Sequence, residues 1–376
     1  MTPFPKSRRR PSVAVLLAGG LFAAAVHAGD ISGVQLAWRN DPRPAADETS
    51  SSMTPPGRRP TRREQRRMLR RGEAESRPAP PSPVVIRPAV SQPVVPPAAE
   101  PREDIPAEAL VHRDLESGGH PRQRFDLFLP EGCSGGGLPL VIWIHGPDWR
   151  TGTKADCPVT WLTRQGFAVA SIDYRPSDAA VYPAQLDDCL AAVEAIRRDA
   201  KTWGIDAGRI CVAGSGGGGH LAALVAFAAP AAPVEREAAA EPAAEAGVAA
   251  VAVFDAPVHL TSLGGEHDRA GSAESRLVGG PLPEFREAAQ LASPLLHVSS
   301  ACPPALIVHG GRGDGVAVAQ GDRLDAALRA AGVESGLVVL DVAVADLAPR
   351  AGTPAAGALL EFLDRAVGPA GARHEN

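Results

Sequence analysis

The chain has 376 residues, a formal net charge of −5, and 44% apolar but only 4% aromatic residues. That leaves room for one large α/β core plus tails, and no basic excess with interleaved aromatics marks a specific nucleic-acid binder. The charge is divided, +7 over residues 1–107 and −12 over the rest, so the arm and the body meet different surroundings.

Residues 1–28 read as a signal peptide. Lys6, Arg8, Arg9 and Arg10 precede a 14-residue apolar run, 13–26, and small residues lead to Gly29, the order an export signal needs. A membrane span takes about 20 apolar residues, so an uncleaved anchor is the weaker alternative. Cleavage after Ala28 is expected, with export to the periplasm, the cell envelope or the medium. Export would place Cys133, Cys157, Cys189, Cys211 and Cys302 in an oxidising compartment with one left over. Cys157 and Cys189 are the expected pair. No cysteine has zinc-ligand spacing, and no metal or cofactor is expected.

Residues 29–107 read as a disordered linker, because 15 of the 37 prolines fall in 31–107 with little apolar periodicity. Within it Arg58-Arg59, Arg62-Arg63, Arg66-Arg67 and Arg70-Arg71 recur every four residues, a spacing that stacks them along one side of a helix. Thr61 and Glu64 form a capping-box pattern and Gly72 a stop, so a short basic helix is expected over 61–72. It suits an acidic polymer or a membrane surface; a solvated charge run is the plainer reading.

From residue 108 short apolar runs alternate with longer amphipathic segments, the pattern of a mostly parallel sheet covered by helices on both faces. Eight strands are expected near 110–115, 124–128, 138–145, 168–174, 210–214, 248–254, 305–309 and 336–342. The best helices are 183–203, 218–229, 320–331 and 354–367. Residues 230–247 read as a surface insertion. The domain should end near 370, leaving 371–376 as a tail.

The stretches "LPLVIWIHG", "FAVASIDYR", "YPAQLDDCLAAVEAIRRDAKTWGIDAGRI", "HLAAL" and "ASPLLHVSSACPPALIVHG" resemble the α/β-hydrolase superfamily. More narrowly they are similar to esterases grouped with acetyl-xylan and feruloyl esterases. The resemblance covers about 108–367 and implies an α/β-hydrolase fold with a Ser, an acid and a His at the carboxyl ends of strands. In such proteins the Ser sits at the centre of G-x-S-x-G, on a tight strand-to-helix turn. Aligning Gly219-His220-Leu221 with the family's G-H-L puts Gly216 at the nucleophile position and Ser215 just before it. The family's H-G-x-x-D reads His309-Gly310-Gly311-Arg312-Gly313, so Gly313 stands at the acid position and Asp314 one residue later. Ala345 falls where the His belongs, and His374 lies close to the end.

The oxyanion loop departs as well. His145-Gly146-Pro147-Asp148-Trp149 replaces H-G-G-G-W, and Pro147 has no N–H to offer developing negative charge. Gly217, following the elbow, completes this candidate pocket. His145 and His220 read as structural hydrogen-bonding residues, and no role is assigned to His259. The glycine run lacks dinucleotide spacing or a P-loop lysine, which argues against phosphate binding.

With Ser, acid and His positions replaced together, the expectation is a pseudoenzyme that binds a ligand or partner, since a triad acts as a unit. The first alternative is a carboxylic-ester hydrolase using Ser215, with Asp314 as the fallback acid. The second is a structural envelope protein attached through its basic arm.

Overall fold

The computed structural model describes residues 34–37, 106–132, 137–228, 247–312 and 316–368. The sheet and its helices belong to one unit, residues 1–40 and 100–376. The signal peptide, the basic helix over 61–72, most of the insertion, Cys133, Gly313, Asp314 and the tail lie outside the described residues.

Among the described residues nine strands form one sheet: β1 Val34–Ala37, β2 Leu110–Glu116, β3 Arg124–Leu129, β4 Leu138–Ile144, β5 Ala168–Ile172, β6 Ile205–Ser215, β7 Ala250–Phe254, β8 Ala305–Arg312 and β9 Ser335–Ala343. Their spatial order is β1-β9-β8-β7-β6-β4-β5-β3-β2. The six strands from β4 to β9 run parallel, while β1, β2 and β3 pair antiparallel. All eight expected strands are present in the mostly parallel sheet, and the fold is that of an α/β hydrolase.

Two details correct the sequence reading. Val34–Ala37 falls inside the span assigned to linker, yet it pairs in register with Leu337–Leu340 of β9. The edge of β9 offers a row of N–H and C=O groups, and a four-residue strand suffices to satisfy them. β6 also starts at Ile205, five residues before the expected start. Its polar first half hid it, although Ile205 pairs with Leu138.

Among the described residues six α-helices follow in order: α1 Ala184–Asp199, α2 Gly217–Phe227, α3 Ala273–Val278, α4 Arg286–Leu291, α5 Val318–Ala330 and α6 Pro354–Ala366; α1, α2, α5 and α6 pack on the sheet. β5 and β7 are buried along their whole length and β4 at all but its first residue, as strands covered on both faces must be. Two apolar clusters result. One joins Ile142, Ile172, Val212 and Val253 to α1, α2 and α5; the other joins Trp143, Ala213, Phe254 and Val308 to α6. Cys189 belongs to the first cluster and Cys157 to the second, on opposite faces of the sheet. The expected disulfide therefore does not form, and both thiols are reduced and buried.

The chain passes from β4 to β5 on one side and returns to β6 on the other side of β4. Sheets of this kind bind ligands outside the carboxyl ends of the strands where the order reverses. That point lies between the residues after β4 and those after β6.

Candidate active site

A single residue, Gly216, separates β6 from α2, with φ 53° and ψ −121°. Such a turn is strained for any residue with a side chain. A Cβ on Gly216 would stand 2.8 Å from the Pro147 Cα and carbonyl oxygen, and one on Gly218 only 2.1 Å from the Ile144 oxygen. The glycine run therefore lets β6, α2 and the loop after β4 touch backbone to backbone. Three N–H groups there are satisfied by carbonyls: Gly216 donates to Phe254 O (2.8 Å), Gly217 to Pro147 O (2.8 Å) and Gly218 to Gly146 O (2.9 Å).

The loop after β4 is fixed by buried polar contacts. The His145 ring stacks on Tyr174 at 4.5 Å and 11°; its Nε2 lies 3.1 Å from Asp173 Oδ1 but without the alignment of a hydrogen bond. The Tyr174 hydroxyl donates to His145 O (2.9 Å). Trp149 is buried at φ 56°, and its Nε1–H donates to His220 Nδ1 (3.0 Å). His220 Nε2 lies 2.6 Å from the Ala292 carbonyl, so Nε2 carries the proton and Nδ1 accepts. Burial holds the His220 pKa down to about 4, and the ring is neutral at pH 7. Asp148 accepts from Thr151 Oγ1 (2.6 Å), Thr151 N (2.8 Å) and Arg150 N (3.2 Å). Its partial burial works to raise its pKa, but the bonds from Thr151 and Arg150 and the Arg150 charge outweigh that and hold the carboxyl below its usual value.

Ser215 ends β6 opposite Phe254 and is half-buried. By strand alternation it shares a face with Cys211 and Ala213, the face covered by α6. The structure thus brings Ser215, Gly216, Gly217, Gly146, Pro147 and Trp149 to one place. Ala345 lies in the short turn after β9 and is exposed, near the ion pair of Arg312 with Asp341. Gly313 and Asp314, between β8 and α5 in the sequence, lie outside the described residues.

Other histidines at this end of the sheet are engaged elsewhere. His309 Nδ1 lies 3.2 Å from Asp255 Oδ1, and the second oxygen of Asp255 accepts from Val316 N (3.2 Å). His259 Nε2 is 3.1 Å from Thr261 Oγ1. Among the described residues no histidine is hydrogen-bonded to Ser215. The sequence reading missed three contacts. Trp149 with His220, 71 residues apart, and Asp255 with His309 had no local signal. Asp148 had one, since a loop Asp accepts from the backbone N–H groups just ahead of it, here Arg150 N and Thr151 N.

A family model, BD-FAE, matches residues 125–328, more than half of the chain. Esterase LipQ of Mycobacterium tuberculosis is 28% identical over 215 residues, 54% of this chain and 48% of LipQ. Carboxylesterase NlhH of the same organism is 37% identical over 92 residues, 24% of this chain and 29% of NlhH. The chain therefore spans about half or less of the length of these relatives. Among solved structures, a truncated carbohydrate esterase from gut microbiota superposes with a TM-score of 0.60 at 22% identity, over 72% of this chain and 99% of that one. Esterase B from Lactobacillus rhamnosis gives 0.57 at 19% identity, over 70% and 87%; likeness at that level concerns the fold alone.

These findings correct the expectation of a non-catalytic protein. That expectation came from the residues at positions 216, 313 and 345, whereas the curated relatives are esterases and favour the ester-hydrolase alternative. A family match running from β3 through α5 and taking in the elbow places the chain in the BD-FAE family, on an α/β-hydrolase fold.

Proposed function

We propose that the protein is a carboxylic-ester hydrolase in which Ser215 is the nucleophile. The observation that carries this reading is the family match, which contains the whole elbow and has esterases among the curated relatives. Ser215 bears the hydroxyl at that elbow and adjoins the amino end of α2. Its oxygen attacks the ester carbonyl, and backbone N–H groups at the start of the helix stabilise the resulting oxyanion. The Ser215 proton passes to the departing alkoxide, which leaves as the alcohol, and water then attacks the acyl-serine, its OH completing the carboxylic acid and its other proton restoring the Ser215 hydroxyl. Asp314, one residue past the family's acid position, is the carboxylate assigned to this chemistry.

Covalent trapping tests the assignment. A short-chain alkyl p-nitrophenyl phosphonate should phosphonylate Ser215, seen as one adduct in the peptide mass map and absent from Ser215→Ala. A folded protein that takes up no phosphonate, or takes it up at another residue, would remove Ser215 from the mechanism.

A further inference from the structure

We infer that the oxyanion hole is shut in this conformation by the chain's own Pro147 carbonyl, and that turning the 147–148 peptide opens it and supplies the Asp148 N–H as a donor. The inference rests on the ester-hydrolase reading. Gly217 N–H, the donor at the amino end of α2, is occupied by Pro147 O at 2.8 Å. The same oxygen stands 2.8 Å from where a side chain on Gly216 would begin. An ester carbonyl oxygen taken up at the amino end of α2 would need this same N–H, so the two oxygens compete for one donor.

Pro147 cannot donate from its own nitrogen, but the peptide joining it to Asp148 carries a C=O on one edge and the Asp148 N–H on the other. Rotating that peptide through ψ of Pro147 and φ of Asp148 withdraws the acceptor and presents a donor. Among the described residues the Asp148 N–H has no hydrogen-bond acceptor, so nothing is broken on that side. The next residue, Trp149, is held at φ 56°, a conformation that a bulky side chain seldom takes and that collects at switch segments.

The Asp148 carboxylate latches the present orientation through Thr151 Oγ1, Thr151 N and Arg150 N. The Trp149 Nε1 bond to His220 and the Ser177 N–H bond to Trp149 O (2.9 Å) anchor the far side of the turn. Thr151 is the part of the latch that touches neither the elbow nor a substrate, which makes it the place to intervene.

The test uses the full chain with two independent readouts: amide hydrogen exchange at Gly217 and the kcat–KM pair for p-nitrophenyl acetate. Thr151→Ala should speed Gly217 exchange and raise kcat, each by up to about tenfold for one net hydrogen bond, with KM little changed. Thr151→Ser, which keeps the hydroxyl, should restore wild-type values. Unchanged Gly217 exchange, or an unchanged or lower kcat in folded Thr151→Ala, would overturn the inference while wild-type turnover kept the ester-hydrolase reading intact. Faster Gly217 exchange with no turnover from any form would overturn that reading and, with it, any catalytic meaning of the opening.

Discussion

The elbow after β6 and the segment after β5 sit at the same end of the sheet and are held by opposite means. After β5, buried charges do the holding. Asp188 accepts from Gln123 Nε2 (2.6 Å), Arg175 N (2.8 Å), Arg175 Nε (2.8 Å) and Arg175 Nη2 (2.7 Å). On β3, which pairs with β5, Asp126 accepts from Lys154 Nζ (2.5 Å), Arg113 Nη1 (3.0 Å) and Asp114 N (2.9 Å). At the elbow, glycines clear the space and backbone bonds with one Trp–His contact fix the geometry. One region fails when a partner is taken away; the other fails when a single carbon is added.

The sharpest way to break the first region is Asp188→Ala. It strips Gln123, the Arg175 N–H and the part-exposed Arg175 guanidinium of a fully buried acceptor, and loss of these hydrogen bonds to a charged group lowers stability by about 3 kcal/mol. Urea unfolding should show this as a lower midpoint with the slope unchanged. A midpoint within error of wild type would mean that the network adds nothing net.

His220 links the elbow helix to the loop, and its burial as a neutral ring makes stability depend on pH. Its folded-state pKa is about 4 against an ordinary 6.5. Between those values the unfolded chain binds a proton that the folded chain refuses. Stability from this group is therefore complete above pH 6.5 and is lost as pH falls toward 4. The full difference is about 3 kcal/mol. His220→Gln should flatten the stability–pH curve across that window, whereas an equally steep curve would assign the dependence to other groups.

Gly216→Ala probes the second region with the smallest possible addition. The methyl meets Pro147 at 2.8 Å in a left-handed turn, and strain of this kind costs about 1–3 kcal/mol. A thermal midpoint equal to wild type would show that the loop moves aside freely, against the closed arrangement of Pro147 over the elbow.

Much of this architecture is legible in the sequence because buried parallel strands are short apolar runs. β4, β5, β7 and β8 announce themselves in that way, and the glycine run between β6 and α2 locates the elbow. What escapes is decided by distant partners. Val34–Ala37 becomes a strand only because β9 offers an edge, and nothing local to Cys157 or Cys189 tells which face of the sheet each will meet. At the site, the positions of Gly216 and Pro147 are readable from motif spacing, but the carbonyl of Pro147 pointing at Gly217 is not. Backbone orientation leaves no mark in residue identity. The replaced family positions also pointed toward an inactive protein, while kinship points to an esterase; the hydroxyl available for that chemistry at the elbow is that of Ser215.

The most direct test of Ser215 as nucleophile is the initial rate of p-nitrophenyl acetate hydrolysis by the purified full chain beside folded Ser215→Ala. Turnover above the uncatalysed rate is predicted for wild type, with its loss in Ser215→Ala. No turnover by the folded wild type, or equal turnover by both proteins, would contradict it.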